Sequence, residues 1–113
     1  MKILDIIYGV SKNEITQEQA IEAVRNKKAQ LIDVRNSAEY RMEHLTPCVN
    51  IDVSEKDFSD KLKNYSKDSS YILYCKTGLR AKKALKKMTK GGFSNVKIIK
   101  GGIQQWSGSK RVK

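Results

Sequence analysis

Six residues in the second half of the chain, Cys75-Lys76-Thr77-Gly78-Leu79-Arg80, combine a soft nucleophile, a flexible backbone position and two cations. The run Ser70–Tyr74 ahead of them is bulky throughout and reads as a buried strand, and an amphipathic helix begins at about Arg80. A loop this tight between strand and helix needs a residue that tolerates positive φ, and Gly78 supplies it. Successive N–H groups in such a turn converge into an anion-binding nest, to which the helix N-terminus adds partial positive charge. Lys76 and Arg80 bring two full charges. All three effects favour thiolate over thiol, so Cys75 is expected to be nucleophilic. The same cradle suits a persulfide or a bound oxyanion. The plainer alternative is a strand-end cysteine followed by an ordinary glycine turn.

Other chemistry-bearing residues are few. Cys48 is not a C-x-x-C partner of Cys75, and the lone His44 cannot complete a zinc site with the two thiols, so neither metal nor cofactor is expected. The two cysteines read as separate thiols rather than a disulfide. Cys48 reads as packing rather than a sulfur relay, and His44 as a satisfied side chain rather than a catalytic one. Asp33 and Arg35, at the end of a short apolar run, read in the plainer way as a structural ion pair with a neighbour. Trp106 and the tyrosines fit the core or its rim.

These residues have to be positioned by a chain of 113, which allows one compact domain. At that size folding buries roughly two-thirds of the unfolded surface, enough for a core without disulfides. Ile3, Leu4, Ile6 and Ile7 mark a short helix or an edge segment over residues 2–8. Thr16 with Gln19 three residues on is a capping-box start, and Ala20, Ile21 and Val24 continue a helical stripe to about Asn26. Gln30–Val34 reads as a strand, and Ser37 as the cap of a short helix carrying Ala38, Tyr40 and Arg41. Val49–Val53 reads as another strand, after which Ser54 caps a helix with Phe58 and Leu62 at i, i+4. Beyond the thiol loop, Ala81, Ala84, Leu85 and Met88 make the inner face of a helix whose outer face is Lys82, Lys83, Lys86, Lys87 and Lys90. Gly91-Gly92 ends it. Val96–Ile99 is the last strand, Gly101-Gly102 turns the chain towards Trp106, and the polar, basic stretch Ser107–Lys113 is expected to fray. Strands alternating with capped helices predict an α/β, three-layer domain with a mainly parallel central sheet flanked by helices. Such sheets bind ligands beyond the carboxyl ends of their strands, where Cys75 lies.

Charge is the outlying feature. Lys and Arg number 23 against 12 Asp and Glu, a net charge of +11, and eighteen of those cations are Lys. Such a field attracts anions of any kind. Lys dominance argues against nucleic acid as the main partner, because base reading and phosphate clamping lean on the Arg fork. The lysine face of the helix after Cys75 reads by default as a solvated surface. No apolar run is long enough to span a membrane, and the N-terminus lacks a signal-peptide core, so a cytoplasmic location and no membrane partner are expected.

Taken in order, the motifs resemble a known family. Leu31-Ile32-Asp33-Val34-Arg35 with Glu39-Tyr40, then His44-Leu45 with Val49-Asn50-Ile51, then Cys75–Arg80, then Gly101-Gly102 with Trp106, are similar to the ordered signatures of single-domain rhodaneses. The match runs from Ile15 to Trp106. It divides the chain into an N-terminal segment (1–14), a rhodanese-like domain (15–107) and a basic tail (108–113). The resemblance implies a sulfurtransferase in which Cys75 cycles between thiolate and persulfide. A small anionic donor, thiosulfate or a persulfide, loads the sulfur, and a thiol or protein acceptor removes it. Backbone N–H groups of Lys76, Thr77, Gly78, Leu79 and Arg80 would hold the persulfide, with Asp33 and Arg35 supporting the loop. The chain departs from the family in Glu43 for the usual Gly before His44, in Thr46-Pro47-Cys48 for Pro-Gly-Ala, and in Lys76 for the usual Arg. Two other classes compete: a phosphatase or arsenate reductase of related architecture, and a non-catalytic rhodanese-like binding module. Phosphatases of the Cys…Arg type need five residues between Cys and Arg, whereas Lys76 to Leu79 are four, a ring sized for one sulfur atom.

Overall fold

A computed structural model describes residues 12–112. The apolar positions Ile3 to Ile7, read above as helix or edge segment, lie outside the described residues. In chain order the elements are β1 (Glu14–Ile15), α1 (Gln17–Arg25), β2 (Gln30–Asp33), α2 (Ser37–Met42), β3 (Val49–Asn50), α3 (Phe58–Lys61), β4 (Ser70–Tyr74), α4 (Leu79–Lys90) and β5 (Asn95–Ile99). A 3-10 turn, Ile103–Gln105, follows β5. The strands form one parallel sheet in the order β1-β5-β4-β2-β3, with β4 in the middle. Among the described residues no helix is long and apolar enough to cross a membrane.

Both sheet faces are covered, which is why the central strands are apolar on both sides. Ile32, Leu73 and Ile98 point to one face, where Phe58 of α3 and Ala81, Ala84 and Met88 of α4 close over them. Ala81 and Ala84 are fully buried, and their small side chains let α4 lie close against the sheet. Leu31, Ile72 and Tyr74 point to the other face, against Ala20 and Val24 of α1, Leu45 and Trp106. Burying each large aliphatic side chain is worth about 1.5–3 kcal/mol, so these two layers carry the stability of the domain.

Local chemistry sets the element ends, in places differently from expectation. Thr16 does cap α1, its hydroxyl accepting the Gln19 N–H while the Gln19 side chain accepts the Thr16 N–H. For α2 the cap is Asn36 rather than Ser37. Its side chain and that of Glu39 accept each other's backbone N–H, a complete capping box that leaves Ser37 as the first helical residue. β3 is shorter than Val49–Val53, because the chain bends at Asp52, whose carboxylate accepts from the N–H and hydroxyl of Ser54. Ser54 is thereby engaged in that turn and caps no helix; α3 starts later, after Asp57, with Phe58 and Leu62 still buried. The tail is held rather than frayed. Thr46 donates to the Lys110 carbonyl at 2.8 Å, Val112 donates to the Thr46 carbonyl at 2.7 Å, and the Val112 side chain is buried. One apolar residue in a basic stretch is too weak a periodic signal to reveal such docking.

Candidate active site

Cys75 follows the last residue of β4, the strand at the centre of the sheet. Asp33 pairs with Tyr74 across the β2–β4 ladder, so those two side chains share a face and Cys75, the next residue, turns to the opposite one. There its Sγ sits under the start of α4 and accepts N–H groups from Gly78 at 3.0 Å and Ala81 at 3.3 Å. Gly78 reaches φ +124°, a conformation that L side chains rarely adopt, and this turns the chain into α4 so that the Ala81 N–H also faces the sulfur. Among the described residues, the N–H groups of Lys76, Thr77, Leu79 and Arg80 donate to no protein acceptor. The loop therefore carries, next to the sulfur and at a helix N-terminus, four N–H groups with no protein acceptor among the described residues. The side chains of Lys76 and Thr77 are exposed, and Leu79 is 76% exposed.

The loop is braced from two sides. On one, the carbonyls of Cys75 and Lys76 accept the N–H groups of Ile103 and Gln104, both at 3.0 Å. Gly102 makes that approach possible. It sits at φ +62°, and a Cβ there would stand 2.5 Å from the Cys75 carbonyl oxygen and closer still to that of Lys76. On the other side, Arg80 donates to both carboxylate oxygens of Glu39, at 2.6 and 2.9 Å, tying α2 to the start of α4. The Arg80 guanidinium holds the Glu39 carboxyl at about 2 against the opposing effect of its partial burial, with the Asn36 N–H helping. Glu39, Gly102, Ile103 and Gln104 were not singled out from the sequence as site residues. The capping-box position of Glu39 and the paired glycines were the signals available.

Asp33 and Arg35 lie elsewhere. Both are buried, and Arg35 donates to the Asp33 carboxylate at 2.7, 3.0 and 3.1 Å and to the Glu43 carbonyl at 2.7 Å. Its guanidinium also lies 5.6 Å from the centre of the Tyr74 ring. No hydrogen bond joins either side chain to the thiol loop; their contact with its surroundings runs through the field that Arg35 exerts on Glu39 and Arg80. His44 stacks on Tyr40 at 3.8 Å and donates from Nδ1 to the Tyr40 carbonyl. Cys48 is half-buried, 3.6 Å from the Tyr74 hydroxyl, and burial pushes its thiol up to about 11. It lines a cavity of about 610 Å³ with Leu31, Val49 and Ser70, at the amino ends of β2 and β4 and so across the sheet from Cys75. Among the described residues no cluster of His, Cys, Asp and Glu could hold a metal ion.

Residues 16–109 match the family model of the rhodanese-like domain. The chain belongs to the rhodanese-like domain family. It is 37% identical over 94 residues to the tRNA uridine(34) hydroxylase of Buchnera aphidicola, covering 79% of this chain and 30% of that protein. The chain thus spans under a third of the length of this curated relative. Against the thiosulfate sulfurtransferase GlpE of Glaesserella parasuis it is 29% identical over 93 residues, covering 82% of this chain and 84% of the other. A rhodanese-related protein of Thermoplasma volcanium superposes with a TM-score of 0.72 at 26% identity, covering 83% of this chain and 89% of that one. The human single-domain sulfurtransferase superposes at 0.77 with 16% identity, covering 85% and 96%, a likeness of fold alone. The rhodanese-like domain here thus holds its signature loop at the carboxyl end of the central strand.

Proposed function

We propose that this rhodanese-like domain is a sulfurtransferase that moves a sulfane sulfur through a persulfide on Cys75. The observation that carries the reading is the loop itself: Sγ held by the Gly78 and Ala81 N–H groups, within a turn whose remaining N–H groups are free. Sγ attacks the outer sulfur of thiosulfate; a new S–S bond forms, the old one breaks, and sulfite leaves with the electron pair. The terminal persulfide sulfur, now anionic, lies among the loop donors, which stabilise it as oxyanion-hole donors stabilise an oxygen. An acceptor thiolate then takes that sulfur and the electron pair returns to Sγ. Two further facts support this reading. The relative from Glaesserella parasuis, covered over most of its length, is named a thiosulfate sulfurtransferase. Arg80, the residue a phosphatase would use to clamp a tetrahedral anion, has its fork on Glu39.

Mass spectrometry of the chain after incubation with thiosulfate tests the reading. A gain of one sulfur on the Cys75 peptide, removed by cyanide or a thiol, is expected. An unmodified Cys75, or turnover of p-nitrophenyl phosphate instead, would overturn it.

A further inference from the structure

The outer face of α4 disobeys the rules of a merely solvated helix. Leu79, Lys83, Lys86 and Lys90 stand at i, i+4, i+7 and i+11 and so form one stripe, about 16 Å long, that starts at the thiol loop. Lys82 flanks it. The helix contains no Asp or Glu, so the pairs Lys82–Lys86, Lys83–Lys87 and Lys86–Lys90 place like charges one turn apart, an unfavourable arrangement. Its first turn carries Arg80 and Lys82 where the helix dipole favours acids. None of Lys82, Lys83, Lys86 or Lys90 forms an ion pair with another described residue. Glu39, the α2 carboxylate that meets the start of α4, is already held by Arg80. Local rules broken with no intramolecular return are expected where a surface serves a partner.

Two large apolar side chains are exposed on α4 and on α2, the helix tied to its start. Leu79 is 76% exposed, and Met42, one turn beyond Glu39 in α2, is 88% exposed; they are the large hydrophobics exposed among the described residues. Leu79 directly precedes Arg80 and Met42 stands one turn after Glu39, so each lies on one of the two helices that the Glu39–Arg80 contact ties together. Apolar anchors inside a cationic rim are the anatomy of a protein interface. A nucleic-acid surface would instead offer stacking aromatics, and no aromatic side chain among the described residues is exposed.

We infer that the α4 face, with Leu79 and Met42, docks an acidic protein segment that exchanges sulfur with Cys75. Glutamate and aspartate side chains meet Lys82, Lys83, Lys86 and Lys90, apolar residues cover Leu79 and Met42, and the partner's cysteine reaches the loop. Its thiolate attacks the outer sulfur of the Cys75 persulfide; the new S–S bond forms on the partner as the Cys75 S–S bond breaks, with the electron pair returning to Sγ. The exchange rests on the persulfide reading above, whereas docking does not.

The test uses the full chain and a fluorescent glutamate-rich peptide that contains leucines and ends in cysteine. Binding is followed by anisotropy with the peptide thiol alkylated, and sulfur transfer with it free. Lys83→Glu/Lys86→Glu/Lys90→Glu is expected to weaken binding by about tenfold or more. Raising salt from about 0.01 M to about 1 M, which shortens the screening length from about 30 Å to about 3 Å, should do the same. Lys83→Gln/Lys86→Gln/Lys90→Gln, which keeps helix propensity, should give a smaller loss in the same direction. Met42→Ser should weaken binding without changing the salt slope. At physiological salt, transfer to dithiothreitol, an uncharged thiol, should be unaffected in both triple variants. Equal binding by the wild type and both triple variants overturns the proposal. So does tighter binding of a single-stranded oligouridylate of matched length that depends on the same lysines, which would assign the face to RNA. Failure of Cys75 to load sulfur while the peptide still binds would sink the persulfide reading and leave docking standing.

Discussion

At the scale of single residues the chemistry rests on one sulfur and the groups that touch it. Cys75→Ser keeps the size of the side chain and removes the soft nucleophile, so thiosulfate:cyanide transfer is expected to vanish while the unfolding midpoint stays near that of the wild type. Cys48 differs from Cys75 in position and environment. Burial lifts its thiol to about 11, so at neutral pH it is protonated and slow to react. Iodoacetamide mapped by peptide mass should label Cys48 in the native protein only as pH climbs towards that value. Rapid labelling of Cys48 at pH 7 would contradict the environment described here. Gly102 is the other residue on which the loop depends. Gly102→Ala forces a Cβ into the Cys75 and Lys76 carbonyls at a positive φ, so a loss of about 2 kcal/mol or more is expected by urea unfolding. Transfer should fall with it, because the displaced carbonyls belong to the thiol loop.

At the scale of elements the question is which contacts position the loop and which only build the domain. Thr16→Ala removes the cap of α1 and should cost about 1 kcal/mol, yet α1 packs on the sheet face opposite Cys75 and transfer should be unchanged. Glu39→Gln should behave the other way round. The Glu39–Arg80 pair is about a third exposed, so its loss costs stability only about 0.5–1 kcal/mol. Arg80 is then free to leave its place at the start of α4, and the loop loses its lateral brace. The expected signature is a kcat/KM for transfer that drops while the urea midpoint barely moves. A variant that loses both in proportion would reduce Glu39 to a structural role.

At the scale of the whole molecule the same pair shapes the response to acid. Glu39 is held at about 2 in the folded chain against an ordinary 4.5, so the unfolded chain takes up its proton first as pH falls. The stabilisation is therefore complete above about pH 4.5 and is lost progressively towards pH 2. Stability followed across that window should fall further in the wild type than in Glu39→Gln by no more than the about 0.5–1 kcal/mol that the pair contributes, the two curves converging at the acid end. Parallel curves would mean that other carboxylates dominate acid unfolding. The net charge of +11 adds general self-repulsion in both proteins and cancels in the comparison.

Much of this protein was legible in one dimension because its signals are local. The capping box at Thr16, the bulky run Ser70–Tyr74 and the inner face Ala81, Ala84, Met88 are short-range patterns, and each formed the element it announced. The thiol loop was legible for the same reason: strand, cysteine, glycine and helix lie within a dozen residues, and alternation along the strand sets the face on which the sulfur emerges. What the sequence could not decide depended on competition between neighbouring candidates or on residues far apart in the chain. Asn36 rather than Ser37 caps α2 because the reciprocal bond with Glu39 selects between adjacent candidates. Arg80 meets Glu39, 41 residues away, only because the parallel order of β2 and β4 sets α2 beside the start of α4. Gly102 reaches the Cys75 carbonyl, and Val112 the core, through chain reversals that no periodicity encodes. Asp33 and Arg35 stand two residues apart and close on each other, because a carboxylate and a guanidinium that enter a buried layer together must satisfy one another before anything else.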